Sequence, residues 1–184
     1  QLEMMTMTKI ADFLTLEDLK KRFGKTLICV TYNVTAGCVE YLGPDTYPKL
    51  PCITALRMSA NLPLIFQHYR YRDSLYVDGG ISDNFAINVG DKIGNKILAI
   101  SVRPDTKDSR SPDPDIDMLQ YIYKLLIVPI AQATQYKIAQ ASKKCRVVTV
   151  AYDKKSLFSF KVSTADKLDM FDTGYEQMKQ EFES

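Results

Sequence analysis

The stretch "LYVDGGISDN", residues 75–84, sets a carboxylate directly before two glycines, with an Asp-Asn pair close behind. Asp78 closes the apolar run Leu75-Tyr76-Val77, and Gly79 and Gly80 follow it at once. In open α/β sheets, functional side chains gather at the carboxyl ends of strands. A carboxylate placed there can act as a general base toward a hydroxyl that reaches it through a short, desolvated hydrogen bond. The glycines are expected to supply backbone dihedrals closed to other residues and to let another piece of chain or a ligand come close. The plainer reading of Asp-Gly is a hairpin or loop turn with no chemistry.

Other reactive residues offer less. Ser59 lies upstream of the stretch and Ser82 within it, four residues after Asp78, but neither is read as lying on a strained strand-to-helix turn of the kind that activates a serine. The one histidine, His68, reads as a strand or surface residue. Cys29, Cys38, Cys52 and Cys145 form no C-x-x-C pair and no zinc spacing, so they are read as reduced, partly buried thiols. Asp113, Asp115 and Asp117 alternate as in a calcium loop. The sixth and twelfth places of such a loop hold Met118 and Lys124 instead of glycine and glutamate, so no metal is expected. Asn33-Val34-Thr35 matches a glycosylation sequon but sits beside an expected strand.

Upstream of Asp-Gly-Gly stands "RMSANLPLIFQHY", residues 57–69. The two stretches together resemble the patatin-like lipid acyl hydrolases, in which a small-residue helix ends in proline and phenylalanine. A strand ending in Asp-Gly-Gly follows, then an asparagine four residues on. The counterparts are Ser59, Ala60, Pro63, Phe66, Asp78, Gly79, Gly80 and Asn84. The C-terminal helix with Gly174 is similar too, so the resemblance spans roughly residues 15–182. It implies a three-layer α/β/α fold with a mostly parallel central sheet. It implies that Asp78 is the aspartate of a Ser-Asp dyad, supported by Gly79, Gly80 and Asn84, with no cofactor. The implied substrate is a lipid ester at a membrane surface, cleaved as by a phospholipase A, and the implied location is cytoplasmic and peripheral at membranes. One departure is Ala86, where the family has proline; it is expected to alter the start of the following helix and not the chemistry.

Such enzymes also need a G-x-S-x-G elbow and a glycine-rich oxyanion loop. Among the eight glycines only Gly90 and Gly94 are four apart, with Lys92 between them. The nucleophile is therefore expected to lie outside these residues. The sequence reads as the C-terminal part of a single patatin-like domain, 1–184, completed by the N-terminal half of the same fold or by another chain. Its first residue, Gln1, fits a processing product or part of something longer. The alternative is a non-catalytic remnant that binds or assembles by burying an unpaired sheet edge.

Strands and helices must position the aspartate. A capping box at Thr15 and Asp18 opens a helix that Gly24 stops. "TLICVTYNV" (26–34) and "SLYVD" (74–78) read as strands. Residues 53–63 read as a helix with Ile53, Leu56 and Ala60 on one face, and 84–93 as a short helix capped by Asp83. "KILAISV" (96–102) has the continuous apolar centre of a strand buried on both faces. Residues 103–115 are expected to be a mobile loop. A long helix follows from about 118 to 142, with Leu119, Ile122, Leu126, Ile130 and Ala133 as its apolar positions. After strands at 146–152 and 157–162, Ser163 and Asp166 cap a last helix with the stripe Leu168, Phe171, Tyr175, Met178 and Phe182. Residues 4–14 carry another helical stripe. Alternating strands and helices make this an α/β chain. The composition is that of a globular protein, with 46% hydrophobic and 25% charged residues. A net charge of +2 gives no electrostatic footprint for nucleic acid.

Overall fold

The computed structural model describes residues 13–94, 96–104, 117–152 and 162–183. They fall in two compact units, one of Gln1–Ala86 with Met118–Thr134, the other of Ile87–Asp117 with Gln135–Ser184. The stripe expected at residues 4–14 lies outside the described residues apart from Phe13 and Leu14. So do the expected strand at 157–162, apart from Val162, and the expected loop at 103–115, apart from Arg103 and Pro104, which end a strand.

The first unit begins with α1 (Leu16–Phe23), and its capping box is formed as expected. The Thr15 hydroxyl oxygen accepts the Asp18 N–H at 3.1 Å, and the Asp18 carboxylate accepts the Thr15 N–H at 3.3 Å. The Thr15 hydroxyl also donates to the Asp18 carboxylate at 2.6 Å, and that bond, with the one from the Thr15 N–H, holds the Asp18 carboxyl below its ordinary value. Gly24 closes the helix in the left-handed region, φ +62°.

Four strands follow: β1 (Cys29–Asn33), β2 (Cys38–Leu42), β3 (Tyr69–Tyr71) and β4 (Ser74–Asp78). Their order is β2-β1-β4-β3, and every pairing is antiparallel. The mostly parallel sheet expected above is corrected here. The cause is loop length: two-residue and four-residue turns join β3 to β4 and β1 to β2, whereas parallel neighbours need a crossover of about a dozen residues. The β1–β2 turn is built by Asn33, whose carbonyl accepts the Gly37 N–H and whose side chain accepts the Ala36 N–H.

Against this sheet lies α2 (Cys52–Ser59). It is shorter than expected and presents a different face, with Ala55 and Met58 buried and Leu56 exposed. The chain leaves the helix because Asn61 is taken up elsewhere. Its carbonyl accepts the Asp78 N–H at 2.8 Å and its side chain donates to the Tyr76 carbonyl at 3.0 Å. Leu16, Leu42, Leu50, Met58 and Tyr76 make the core, each aliphatic side chain contributing roughly 2 kcal/mol by burial. A short helix not expected, α3 (Gly80–Asp83), closes this part of the unit, and the helix expected at 84–93 is α4 (Ile87–Ile93), which begins the second unit.

In the second unit, β5 (Ile97–Pro104) and β6 (Cys145–Tyr152) pair in parallel, from Ile97 opposite Cys145 to Pro104 opposite Tyr152. The helix α5 (Met118–Ala139) lies between them in sequence. Among the described residues β5 is not buried on both faces: Leu98, Ile100 and Val102 are exposed while Ser101 is buried. The last helix, α6 (Thr164–Glu183), has the Ser163–Asp166 capping bonds expected of it. Its stripe is corrected, however. Leu168, Phe171, Tyr175 and Phe182 are exposed, and Gly174, Gln177 and Met178 form the shielded side.

Candidate functional site

Asp78 is the last residue of β4, opposite Thr31 on the central strand β1. The sheet holds this strand end tightly. The Thr31 hydroxyl, fully buried, donates to the Val77 carbonyl at 2.8 Å, and Asn61 takes the Asp78 N–H. The chain then turns directly into α3, so the Asp-Gly pair is a strand-to-helix turn and no hairpin.

The two glycines serve close approach, and the expectation of unusual dihedrals is corrected. Gly79 has φ −67° and ψ −18°, open to any residue. Its constraint is space: a Cβ there would stand 2.4 Å from the carbonyl carbon of Val30, a backbone atom that cannot move aside. Gly79 therefore rests on the backbone of β1. At Gly80 a Cβ would stand 2.9 Å from both the Asp78 Oδ1 and the Asn84 Oδ1. Gly80 thus lets the two side chains close over its Cα.

The Gly80 N–H donates to Asp78 Oδ1 at 2.7 Å, the one hydrogen bond this carboxylate makes among the described residues. Burial raises the Asp78 carboxyl above its ordinary value, and the Gly80 bond, which favours the charged form, opposes that rise. A half-buried carboxylate with one oxygen fixed and a raised pKa is suited to take a proton from a hydroxyl brought to its other oxygen.

The opening residues of α5 belong to the same unit. Among residues 118–134 of that helix only Tyr123 and Thr134 are buried, eleven residues apart and so on one face. Leu119, Ile122 and Leu126, expected as its apolar side, are exposed. Asn84 donates to the Thr134 hydroxyl at 3.5 Å. The Tyr123 phenol is raised above its ordinary value by burial and then by the Asp78 charge. Sequence reasoning passed over both residues, since a helical stripe of leucines and isoleucines hides which turn faces the site.

Asp83, expected as a helix cap, is buried inside α3, where its carboxylate accepts the Tyr41 hydroxyl at 2.5 Å. Ser59 ends α2 and Ser82 is exposed on α3, and no hydrogen bond joins either side chain to Asp78 among the described residues. His68 is exposed. All four cysteines are free, and burial pushes the Cys29 thiol up to about 11, against thiolate chemistry. No cluster of three or more metal-ligating side chains is present among the described residues. No helix among them is long and apolar enough to cross a membrane.

Mixed strands and helices around an Asp-Gly-Gly turn define the class. Residues 4–90, a little under half of the chain, match the sequence model of the family described as patatin-like phospholipase. Particular relatives extend the comparison. The chain is 30% identical over 92 residues to a protein named "Probable lipid hydrolase 463L" of Invertebrate iridescent virus 6, covering 50% of this chain and 32% of that one. It superposes on VipD from Legionella pneumophila with a TM-score of 0.51 at 17% identity, over 91% of this chain and 34% of that one. At that identity the likeness is one of fold alone, and it extends beyond residue 90. The chain spans about a third of the length of these two proteins.

Proposed function

We propose that these residues form the aspartate-bearing part of a serine acyl hydrolase that cleaves ester bonds of membrane lipids, as a phospholipase A does. Asp78 is the general base, and the serine and the oxyanion donors come from outside these residues, from the N-terminal half of the same fold or from another chain. The serine oxygen attacks the ester carbonyl while its proton passes to Asp78 Oδ2. The tetrahedral intermediate then collapses, and Asp78 returns the proton to the departing alcohol. Water, deprotonated by Asp78 in its turn, releases the fatty acid from the serine. No metal or cofactor takes part in the proposed steps.

One observation carries this reading: the Asp78 carboxylate is half-buried at a strand end, fixed through one oxygen by Gly80, with its pKa raised by burial. Raising the base toward the pH of operation narrows the gap that the serine proton must cross. The patatin-like match of residues 4–90 and the lipid-hydrolase name of a relative support the choice of substrate. Because the substrate is a lipid, the parent protein is proposed to work in the cytoplasm, peripherally at membranes.

The test is hydrolysis of a fluorogenic phospholipid by the longest native protein that carries this sequence. Asp78→Asn should lower turnover about 10²–10⁴-fold, the usual contribution of a general base, with the circular dichroism unchanged. A variant keeping more than a tenth of the activity would remove Asp78 from the chemistry. A second reading, a non-catalytic binding or assembly module, is favoured by the absence of G-x-S-x-G from the 184 residues. Covalent labelling of the native protein by a fluorophosphonate discriminates the two, since only a protein with an activated serine is labelled.

A further inference from the structure

We propose that Tyr41 and Asp83 act as a positioning pair for Asp78, fixing the direction of the Gly80 N–H that holds its carboxylate. The inference rests on the acyl-hydrolase reading above and adds two residues to it.

The turn after β4 is fastened to the sheet at two points. At its start Gly79 lies on the backbone of Val30. At its end Asp83 takes the Tyr41 hydroxyl, and Tyr41 stands on β2 directly opposite Val30 on β1. Both fastenings therefore address one cross-strand pair. Between them, the Ser82 and Asp83 N–H groups donate to the Gly79 carbonyl at 3.0 and 2.8 Å, closing the single turn of α3. The Gly80 N–H is carried by that turn, and its aim follows from where the turn is held.

A buried carboxylate is a costly way to hold four residues in place, because its charge must be compensated by hydrogen bonds. Packing alone could be done by an apolar side chain. What the charged pair adds is direction: a 2.5 Å bond from a phenol to a carboxylate is short and charge-assisted, and it tolerates little displacement. The Tyr41 phenol, pushed up to about 12 by burial and by Asp83, stays a donor at every pH at which the enzyme would work.

The experiment uses the same native protein and lipid substrate. In Tyr41→Phe the turn loses its far fastening and the Gly80 N–H no longer aims at Asp78. A bond to the charged form is then weakened, so the Asp78 pKa rises further and the acid limb of the kcat–pH profile moves to higher pH. The titratable group that senses the Asp78 charge is Tyr123 on α5, while β1 presents Thr31 and the segment after α2 presents Asn61, neither of which titrates; Asp83 follows on α3. Asp83→Asn removes the other carboxyl and leaves Tyr41 only an uncharged acceptor, so it should lower kcat in the same direction as Tyr41→Phe, and an acid limb that persists in it belongs to Asp78. Tyr41→Phe should lower kcat about tenfold with KM within about twofold, the signature of an interaction used in the transition state. If Tyr41→Phe does not fold, Asp83→Glu, which keeps the acceptor on a longer arm, should move the limb in the same direction.

A limb and kcat unmoved in the folded variants overturn the positioning role. With Asp78→Asn inactive in the same assay, the acyl-hydrolase reading would survive that result. An active Asp78→Asn protein overturns both.

Discussion

Gly79 and Gly80 stand side by side, yet the structure asks different things of them. An alanine at 79 collides with the backbone of β1, an alanine at 80 with the ends of two side chains. Gly79→Ala should therefore lose at least about 2–3 kcal/mol of stability, as overpacking against a rigid neighbour does, read from the urea midpoint. Gly80→Ala should unfold near the wild-type midpoint while lipid hydrolysis falls, since one of the two displaced side chains is the carboxylate of the proposed base. Asp78 carries a cost of its own. Burial raises its folded-state pKa above the unfolded value, so the folded state gains from the proton bound at Asp78. That gain is full below the unfolded pKa, about 4 for an aspartate, and is lost as pH rises through the folded one. Asp78→Asn should accordingly raise the melting temperature at pH 7 and lose that advantage toward pH 4, measured by calorimetry across that range. That the Asp-Gly-Gly triplet begins at a strand end was legible in the sequence. The reason for its glycines was not, because a missing Cβ announces either an unusual dihedral or a close neighbour, and only the position of Val30 separates the two.

At the level of elements, capping proved more legible than burial. Thr15 with Asp18 and Ser163 with Asp166 were readable because both partners lie within one turn of chain. The faces of α2, α5 and α6 were misjudged, because each helix has apolar residues on more sides than one. On α6 the decisive contact is polar: the Gln177 side chain accepts the Ala151 N–H at 2.8 Å and donates to the Ala151 carbonyl at 2.7 Å. The amide thus pairs with β6 as a neighbouring strand would, blunting that stretch of backbone against unwanted pairing. Gln177→Ala should cost about 1–2 kcal/mol for the two lost bonds, seen as an earlier urea transition. The same variant should aggregate faster in light scattering.

For the molecule as a whole, the described residues leave many large apolar side chains in solvent, among them Leu98, Ile100 and Val102 of β5 and Leu168, Phe171 and Tyr175 of α6. Exposed apolar surface of this kind marks places where other protein or lipid belongs. Since the chain spans about a third of the two relatives compared and holds no G-x-S-x-G, the 184 residues alone should show no turnover of a p-nitrophenyl ester above an Asp78→Ala control. Turnover above that control would place a nucleophile within the chain.

Features written in neighbouring residues could be read before folding: two helix caps, the strand Ser74–Asp78 and the carboxylate at its end. The sequence by itself also carried the patatin resemblance, whose motif is nearly contiguous. Only the tertiary structure decided the antiparallel order of β1 to β4, the buried faces of the helices and the joining of Tyr41 to Asp83. The physical reason is distance along the chain. Thr15 and Asp18 find each other across three residues, while Tyr41 and Asp83 are forty-two apart and meet only because the intervening strands bring them to one edge of the same sheet.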